Sequence, residues 1–354
     1  MPLFRPNIDG MTGYVPGEQP LAGEKVIKLN TNENPYAPSP AAMSVLGGLD
    51  SERLRRYSHP TARAFRETVA GVLDVPAEWV LPGNGSDDLL TMIFRAGTEP
   101  GRSAAYPVPT YTLYRTLAEI QDAEVAEVPF DEDFHLPVDG LVSARAAVTL
   151  VAHPNAPSGT AMPRARLEAL AEGVSGLLVV DEAYVDFADH HALDLARSRE
   201  NVVVLRTLSK GYSLAGLRLG FAVGNPAILD GLMKVKDSYN VGSVPCAVGA
   251  AAFADQAYHR ECVERVKASR ATLAGDLAGL GFRVWPSAAN FLFVRPPDGE
   301  AGRLYECLKE RGILIRYFNR PPLADKLRIT IGTDEQNAEL VREIVSIRAG
   351  AGDG

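Results

Sequence analysis

The sequence predicts an α/β protein: a large domain with a mainly parallel central sheet flanked by helices, and a smaller α+β domain after it. Three observations carry this. Short β-branched runs recur at 148–151, 177–180 and 202–205, and continuous apolar runs of that length suit parallel strands covered on both faces. Helical apolar periodicity precedes and separates them. After Cys246 the character changes to one long helical pattern followed by short strands.

The elements follow in chain order. Ala62, Phe65, Val69, Val72 and Leu73 recur at helical spacing and predict a helix with one apolar stripe. Trp79-Val80-Leu81 reads as a strand closed by Pro82-Gly83. Leu89, Leu90, Ile93 and Phe94 form a second helical face, and the three buried strands come next. Val263, Val266, Leu273, Leu277 and Leu280 predict a long helix broken at Gly281. A strand at 291–294, a helix around 304–308 and strands at 313–315 and 327–331 complete the smaller unit. The expected division is an N-terminal arm joined to the small domain over 1–40, a large domain over 41–245, and a small domain over 246–347. A frayed tail is expected over 348–354.

Composition narrows the function. The chain has 354 residues, 46% apolar and 23% charged, with a formal net charge of -8. A sizeable core is affordable, and no broad basic face is available for a nucleic-acid backbone. Residues 1–40 are too short and too little basic for a DNA-binding domain. The three cysteines are widely spaced, with no Cys-x-x-Cys pair, and read as small core residues in a reducing compartment. The six histidines, including His59, His190 and His191, show no metal-ligand spacing. No apolar leader region and no membrane-length apolar run are seen. The expected location is the cytoplasm.

The densest chemistry is T-L-S-K-G-Y-S-L-A-G-L-R-L-G over 207–220, directly after the strand at 202–205. Ligands of open α/β sheets collect outside the carboxyl ends of strands. Lys210 there suits Schiff-base chemistry, which needs a buried, partly desolvated amine. Thr207, Ser209 and Arg218 beside it suit a phosphate. A solvated lysine reads equally well from this segment alone. Asp181 and Tyr184 stand at the next strand end, where a carboxylate can hold a ring nitrogen protonated and a phenol can bond a phenolate. An N-cap aspartate and a core tyrosine are the plainer reading. Asp181 and Lys210 are separated by one βαβ-sized interval, about 30 residues. Asn155, in the turn after 148–151, reaches the same crevice as a neutral donor, or simply belongs to a sharp Pro/Gly turn. Gly85 and Ser86 open a helix whose N-terminal amides suit phosphate. That loop is neither a Walker loop nor a dinucleotide fingerprint. Together the four strand ends match what pyridoxal 5'-phosphate demands.

With those residues placed, the sequence resembles the fold-type I pyridoxal-phosphate aminotransferases, and within them the histidinol-phosphate aminotransferases. The resemblance runs from K-L-N-T-N-E-N-P-Y (28–36) through R-Y-S-H-P, G-N-G-S-D-D, P-T-Y, P-N-A-P-S-G, D-E-A-Y and T-L-S-K to L-R-I-T-I-G-T (327–333). It implies that Lys210 is the Schiff-base lysine and proton shuttle. Asp181 would pair with the pyridine nitrogen, and Asn155 and Tyr184 would contact its ring oxygen. Gly85, Ser86, Ser209 and Arg218, with Thr207, would hold the phosphate. Tyr111 would stack on the ring. Tyr57 would reach the phosphate in a second subunit, which implies a homodimer with shared active sites. Tyr14 would contact substrate from the neighbouring subunit. Three departures stand out: His153 and Ala156 replace asparagines, and Ser158 replaces a threonine.

Arg328 carries the expected substrate class, because a planar guanidinium suits carboxylate or phosphate, and Arg316 adds a second charge for a dianion. The implied substrates are histidinol phosphate and 2-oxoglutarate, with glutamate as the second product. An aromatic amino acid aminotransferase shares every cofactor residue. A phosphothreonine decarboxylase on the same scaffold is a further alternative, since an electron sink does not choose which bond breaks.

Overall fold

The computed structural model describes residues 3–350 apart from 16, 21, 22 and 24. Strand β1 (Ile27–Lys28) lies near the N-terminus. Seven strands then form one sheet: β2 (Val80–Gly83), β3 (Ala104–Val108), β4 (Val125–Pro129), β5 (Val148–Ala152), β6 (Leu177–Asp181), β7 (Val202–Thr207) and β8 (Gly220–Gly224). Their spatial order is β2-β8-β7-β6-β5-β3-β4. The five strands from β7 to β4 pair in parallel, and β8 runs antiparallel to both its neighbours.

Side-chain alternation explains why the central strands are apolar throughout. Val202 and Val204 enter the core on one face with Leu178, Val180 and Val151. Val203 and Leu205 enter the opposite core with Val179 and Leu150. A strand between two helical layers has no solvent side, so both of its faces must be apolar. Helices Arg63–Leu73 and Arg164–Gly173 cover the first face through Phe65, Val69, Leu167 and Leu170. Helices Ser86–Gly97 and Leu113–Ile120 cover the second through Leu89, Phe94, Tyr114 and Leu117.

The smaller unit has its own core. Strands β9 (Arg283–Val284), β10 (Phe291–Arg295), β12 (Arg316–Tyr317) and β13 (Leu327–Thr330) form an antiparallel sheet ordered β12-β13-β10-β9. Strand β11 (Ile313–Leu314) pairs in parallel with β1. Leu29 N donates to Leu314 O at 2.7 Å and Leu29 O accepts from Thr330 N at 3.0 Å, so residues 27–32 are stitched into this unit. Helices Gln256–Gly279 and Asp334–Gly350 pack over it through Val266, Leu273, Leu340 and Ile344.

Two expected boundaries shift. Helix Ser243–Ala254 buries Cys246, Val248, Ala252 and Phe253 in the large-unit core. A break at 245/246 would divide that packing, and we propose the division at about Asp255, where a new helix is capped by the Asp255 side chain. The change of sequence character at Cys246 reflects an apolar helix of the large unit, not the start of the small one. At the C-terminus, the helix continues to Gly350. Ile347 joins the core and Arg348 Nη1 donates to Leu280 O at 2.5 Å, so 348–350 are not a frayed tail. Residues 351–354 lie outside the described residues. A smaller shift affects Trp79, which sits in a short 3-10 turn while its strand starts at Val80.

Candidate active site

The carboxyl ends of β3, β5, β6 and β7 open on a cavity of about 1400 Å³, bounded on its other side by β12, β13 and residues 10–15, 17 and 19. That exceeds the usual volume of a single small-molecule pocket, about 300–1,000 Å³. Every site residue proposed from the sequence lines it except Gly85, Asn155 and Tyr57.

Lys210 follows β7, and its Nζ donates to Thr31 O at 3.2 Å. Burial, reinforced by the Arg328 guanidinium, lowers its ammonium to about 8. The amine therefore becomes a neutral nucleophile well below the ordinary lysine range. The rate at which the cofactor-free protein reacts with an aldehyde cofactor is expected to rise with pH through about 8 and then level off. A midpoint near the unperturbed value of about 10.4 in stopped-flow absorbance would contradict the desolvated site.

Asp181 closes β6 and is only 4% exposed. Its Oδ2 accepts from Tyr114 OH at 2.7 Å and its Oδ1 from Ala183 N at 3.1 Å. Burial pushes its carboxyl up to about 6, against the lowering effect of those two hydrogen bonds. A buried carboxylate without a cation is the arrangement that a protonated ring nitrogen would complete.

Tyr184 is aimed by a fixed chain of donors. Thr330 Oγ1 accepts from Asn32 N at 3.0 Å and donates to Asn32 Oδ1 at 3.0 Å. That orients the amide so that Asn32 Nδ2 donates to Tyr184 OH at 2.9 Å. The Tyr184 hydroxyl proton is thereby left for an acceptor in the cavity. Its ring meets Phe291 edge-on at 5.1 Å.

The phosphate end is built from backbone. Gly83, Gly220 and Thr207 lie in register across β2, β8 and β7. Gly85 has φ +83° and turns the chain into helix Ser86–Gly97, whose first amides face outward. A Cβ on Gly85 would meet Arg218 Nη2 at 2.8 Å. Gly85 thus acts through its turn and not as a lining residue. A Cβ on Gly220 would stand 2.8 Å from both Ser86 N and Arg206 O. Gly220→Ala is expected to lower stability by about 1–3 kcal/mol in urea unfolding and to weaken inorganic phosphate binding. Unchanged values for both would refute the cradle. Arg218, at φ +52°, reaches Asp87 Oδ2 at 3.1 Å, and Asp87 Oδ1 accepts from Tyr111 OH at 3.1 Å. One carboxylate therefore orients the arginine and the aromatic ring together. Thr207 Oγ1 bonds Ser209 Oγ at 3.0 Å.

Asn155 is placed differently from its sequence reading. It is fully buried, and its amide is consumed between its own loop and the loop after β3. Oδ1 accepts from Thr110 Oγ1 at 2.8 Å, and Nδ2 donates to Ser158 Oγ at 3.0 Å and Pro109 O at 3.3 Å. Ala156 lines the cavity instead. Asn155 ties two strand-end loops together and supplies no free donor. Tyr57 is also outside the cavity, 84% exposed and stacked on Tyr239 at 4.5 Å. Tyr14 lines the cavity of its own chain, its ring 6.1 Å from Tyr111. It needs no neighbouring subunit to arrive there.

Arg328 and Arg316 stand directly opposite each other on β13 and β12. Arg328 Nη2 donates to Asn30 O at 2.8 Å, while its Nε is buried without a partner. Both line the cavity, and among the described residues neither makes a salt bridge.

Several site residues carried no role in the sequence reading. Asn34 Nδ2 donates to Lys210 O at 3.0 Å, Thr31 and Asn32 act as above, and Asn30 receives Arg328. Their signal was the quoted motif over 28–36, in which polar residues crowd a segment beside a buried strand. Asp87 and Thr110 lay within the quoted motifs G-N-G-S-D-D and P-T-Y, whereas Tyr114 had no such signal.

The whole arrangement has relatives. Residues 24–344 match the model of the family described as aminotransferase class I and II. The chain belongs to the class I and II aminotransferases. This aminotransferase is 58% identical over 341 residues to histidinol-phosphate aminotransferase 1 of Trichormus variabilis, covering 96% of this chain and 97% of that one. It is 43% identical to the histidinol-phosphate aminotransferase of Citrifermentans bemidjiense, covering 99% and 100%. Among solved structures it resembles the histidinol-phosphate aminotransferase of Sinorhizobium meliloti in complex with pyridoxal-5'-phosphate. There the TM-score is 0.89 at 26% identity, over 98% of this chain and 99% of that one.

Proposed function

We propose that this aminotransferase moves an amino group between L-histidinol phosphate and 2-oxoglutarate, with pyridoxal phosphate held on Lys210. The observation that carries the substrate is the pair Arg316 and Arg328. Like charges directly opposite on adjacent strands destabilise a sheet, and each lacks a carboxylate partner among the described residues. A dianion offsets that repulsion. Histidinol phosphate carries a phosphate ester, 2-oxoglutarate carries two carboxylates, and a forked guanidinium accepts either. The near-full-length relatives, each a histidinol-phosphate aminotransferase by its own name, support this reading.

The donor set fits the cofactor: an activated amine, a buried carboxylate without a cation, a tyrosyl proton aimed inward, and a backbone cradle with an arginine. When bound, pyridoxal phosphate supplies an electron sink for the bonds at the amine-bearing carbon. Lys210 Nζ, once free, takes the proton from that carbon and returns it during the transfer. Asp181 would keep the ring nitrogen protonated, and Tyr184 would bond the ring oxygen. Ser86, Ser209 and Arg218 would hold the phosphate on the turn made by Gly85, with Thr207 beside them, and Tyr111 would pack against the ring.

The working unit of this reading is a homodimer with shared active sites, Tyr57 serving the second subunit's phosphate. Tyr57, Leu54 and Met43 are exposed on one stretch of chain, a surface that suits burial against a second copy. The reading places the enzyme in the cytoplasm, and its free cysteines suit a reducing compartment.

A visible spectrum of the cofactor-loaded protein tests the substrate, titrated in parallel with histidinol phosphate and phenylalanine. Bleaching at low histidinol phosphate, with phenylalanine much weaker, is expected. The reverse order would move the activity to aromatic amino acids.

A further inference from the structure

Asp181 has one partner that neither the sequence motifs nor the family relationship assigns. Tyr114 lies in helix Leu113–Ile120, fully buried, and its hydroxyl donates to Asp181 Oδ2 at 2.7 Å. Its ring is held between Tyr106 and Tyr111, both at 5.7 Å between centroids. Among the described residues the hydroxyl has no other hydrogen-bond partner, so the ring packing sets the geometry of the bond.

We propose that Tyr114 is a positioning residue for Asp181, holding the carboxylate ionised and turned so that its remaining lone pairs face a protonated ring nitrogen. This rests on the reading that Asp181 serves that nitrogen. Three features of the site support it. A carboxylate is acceptor-only when ionised and needs donors for its lone pairs when buried. Here Ala183 N occupies Oδ1 and Tyr114 occupies Oδ2, fixing both oxygens. The titratable groups facing the carboxylate are Tyr114, Asp87, Glu182 and Tyr184, of which the two acids raise its pKa. Burial raises it further, and the Tyr114 hydrogen bond opposes that rise. A hydrogen bond to the charged form favours that form. Removing it moves the carboxyl upward, so the anion that stabilises a protonated ring nitrogen is lost at a higher pH.

The test compares Tyr114→Phe, Asp181→Asn and the double variant. Two quantities are read: the pH dependence of kcat, and the equilibrium affinity for pyridoxamine phosphate, which binds without a covalent link to Lys210. Tyr114→Phe is expected to weaken that affinity roughly tenfold, as for a lost hydrogen bond to a charged group, and to move the acid limb of kcat to higher pH. Asp181→Asn weakens it further, and the double variant is no weaker than Asp181→Asn alone, because the hydroxyl then has no carboxylate to hold. Incorporating 3-fluorotyrosine at position 114 keeps the packing and strengthens the donor, so the acid limb should move to lower pH. This arm holds even where the phenylalanine variant folds poorly. Additive losses in the double variant, or an acid limb that ignores both changes at Tyr114, would overturn the proposal. Asp181→Asn with wild-type affinity would instead remove the reading of Asp181 on which it rests.

Discussion

Lys210→Ala is expected to lower the rate of amino transfer by at least about 10³-fold, within the range ascribed to a positioned general base and compounded by loss of the amine itself. The residue sits after β7 with its Nζ held by Thr31 O, and Asn34 anchors its backbone carbonyl. No other lysine close to the parallel strand ends lines the cavity; Lys326 does so from the small unit, bonded to Asp325 Oδ1 at 2.5 Å and Pro322 O. Borohydride treatment followed by mass measurement is the first check: the wild-type chain should gain the cofactor's mass and the variant should not. The second is single-turnover absorbance with histidinol phosphate. A variant that still transfers at the wild-type rate would sink the assignment.

Arg328→Met should remove both substrates together. The side chain is half-buried, its Nε is enclosed with no partner among the described residues, and Asn30 O fixes one of its ends. Losing a buried, charged hydrogen-bond partner costs about 2–5 kcal/mol, roughly 30- to several-thousand-fold in affinity. Methionine retains most of the stem's packing, so the fold should survive. The relief of Arg316 opposite it makes a small stability gain the expected side effect. Isothermal titration with histidinol phosphate and with 2-oxoglutarate separates the outcomes. Equal loss for both supports one shared anion site, whereas unchanged affinity for both would refute it.

The sequence made the strand ends legible because local chemistry marks them. A short run rich in valine and leucine, too short for a helix, reads as a buried strand, and a lysine, an aspartate or a Gly-x-Gly-Ser directly after such runs stands out against it. Asn155 illustrates the limit. Its position at a strand end was visible, but the direction of its amide depends on Thr110 and Ser158. Thr110, on another loop, decides it as much as the neighbouring sequence does. The proposed shift of the Cys246 break has a related reason: helix Ser243–Ala254 is apolar where Leu219, Leu208 and Phe65 close on it from the large unit. Nothing local announces that partner.

By itself, the sequence determined the α/β class, the parallel strands, the lysine and carboxylate at their ends, and the glycine turn before helix Ser86–Gly97. Those follow from periodicity and from what each backbone conformation permits. Only the tertiary structure decided that residues 30–34 bond Arg328, Lys210 and Tyr184, that Tyr114 holds Asp181, and that two arginines face each other across β12 and β13. All but the arginine pair join segments far apart in the chain. Hydrogen bonds and charge repulsion act over a few ångströms of space, and sequence distance carries no information about that separation until the sheet and the small unit have packed.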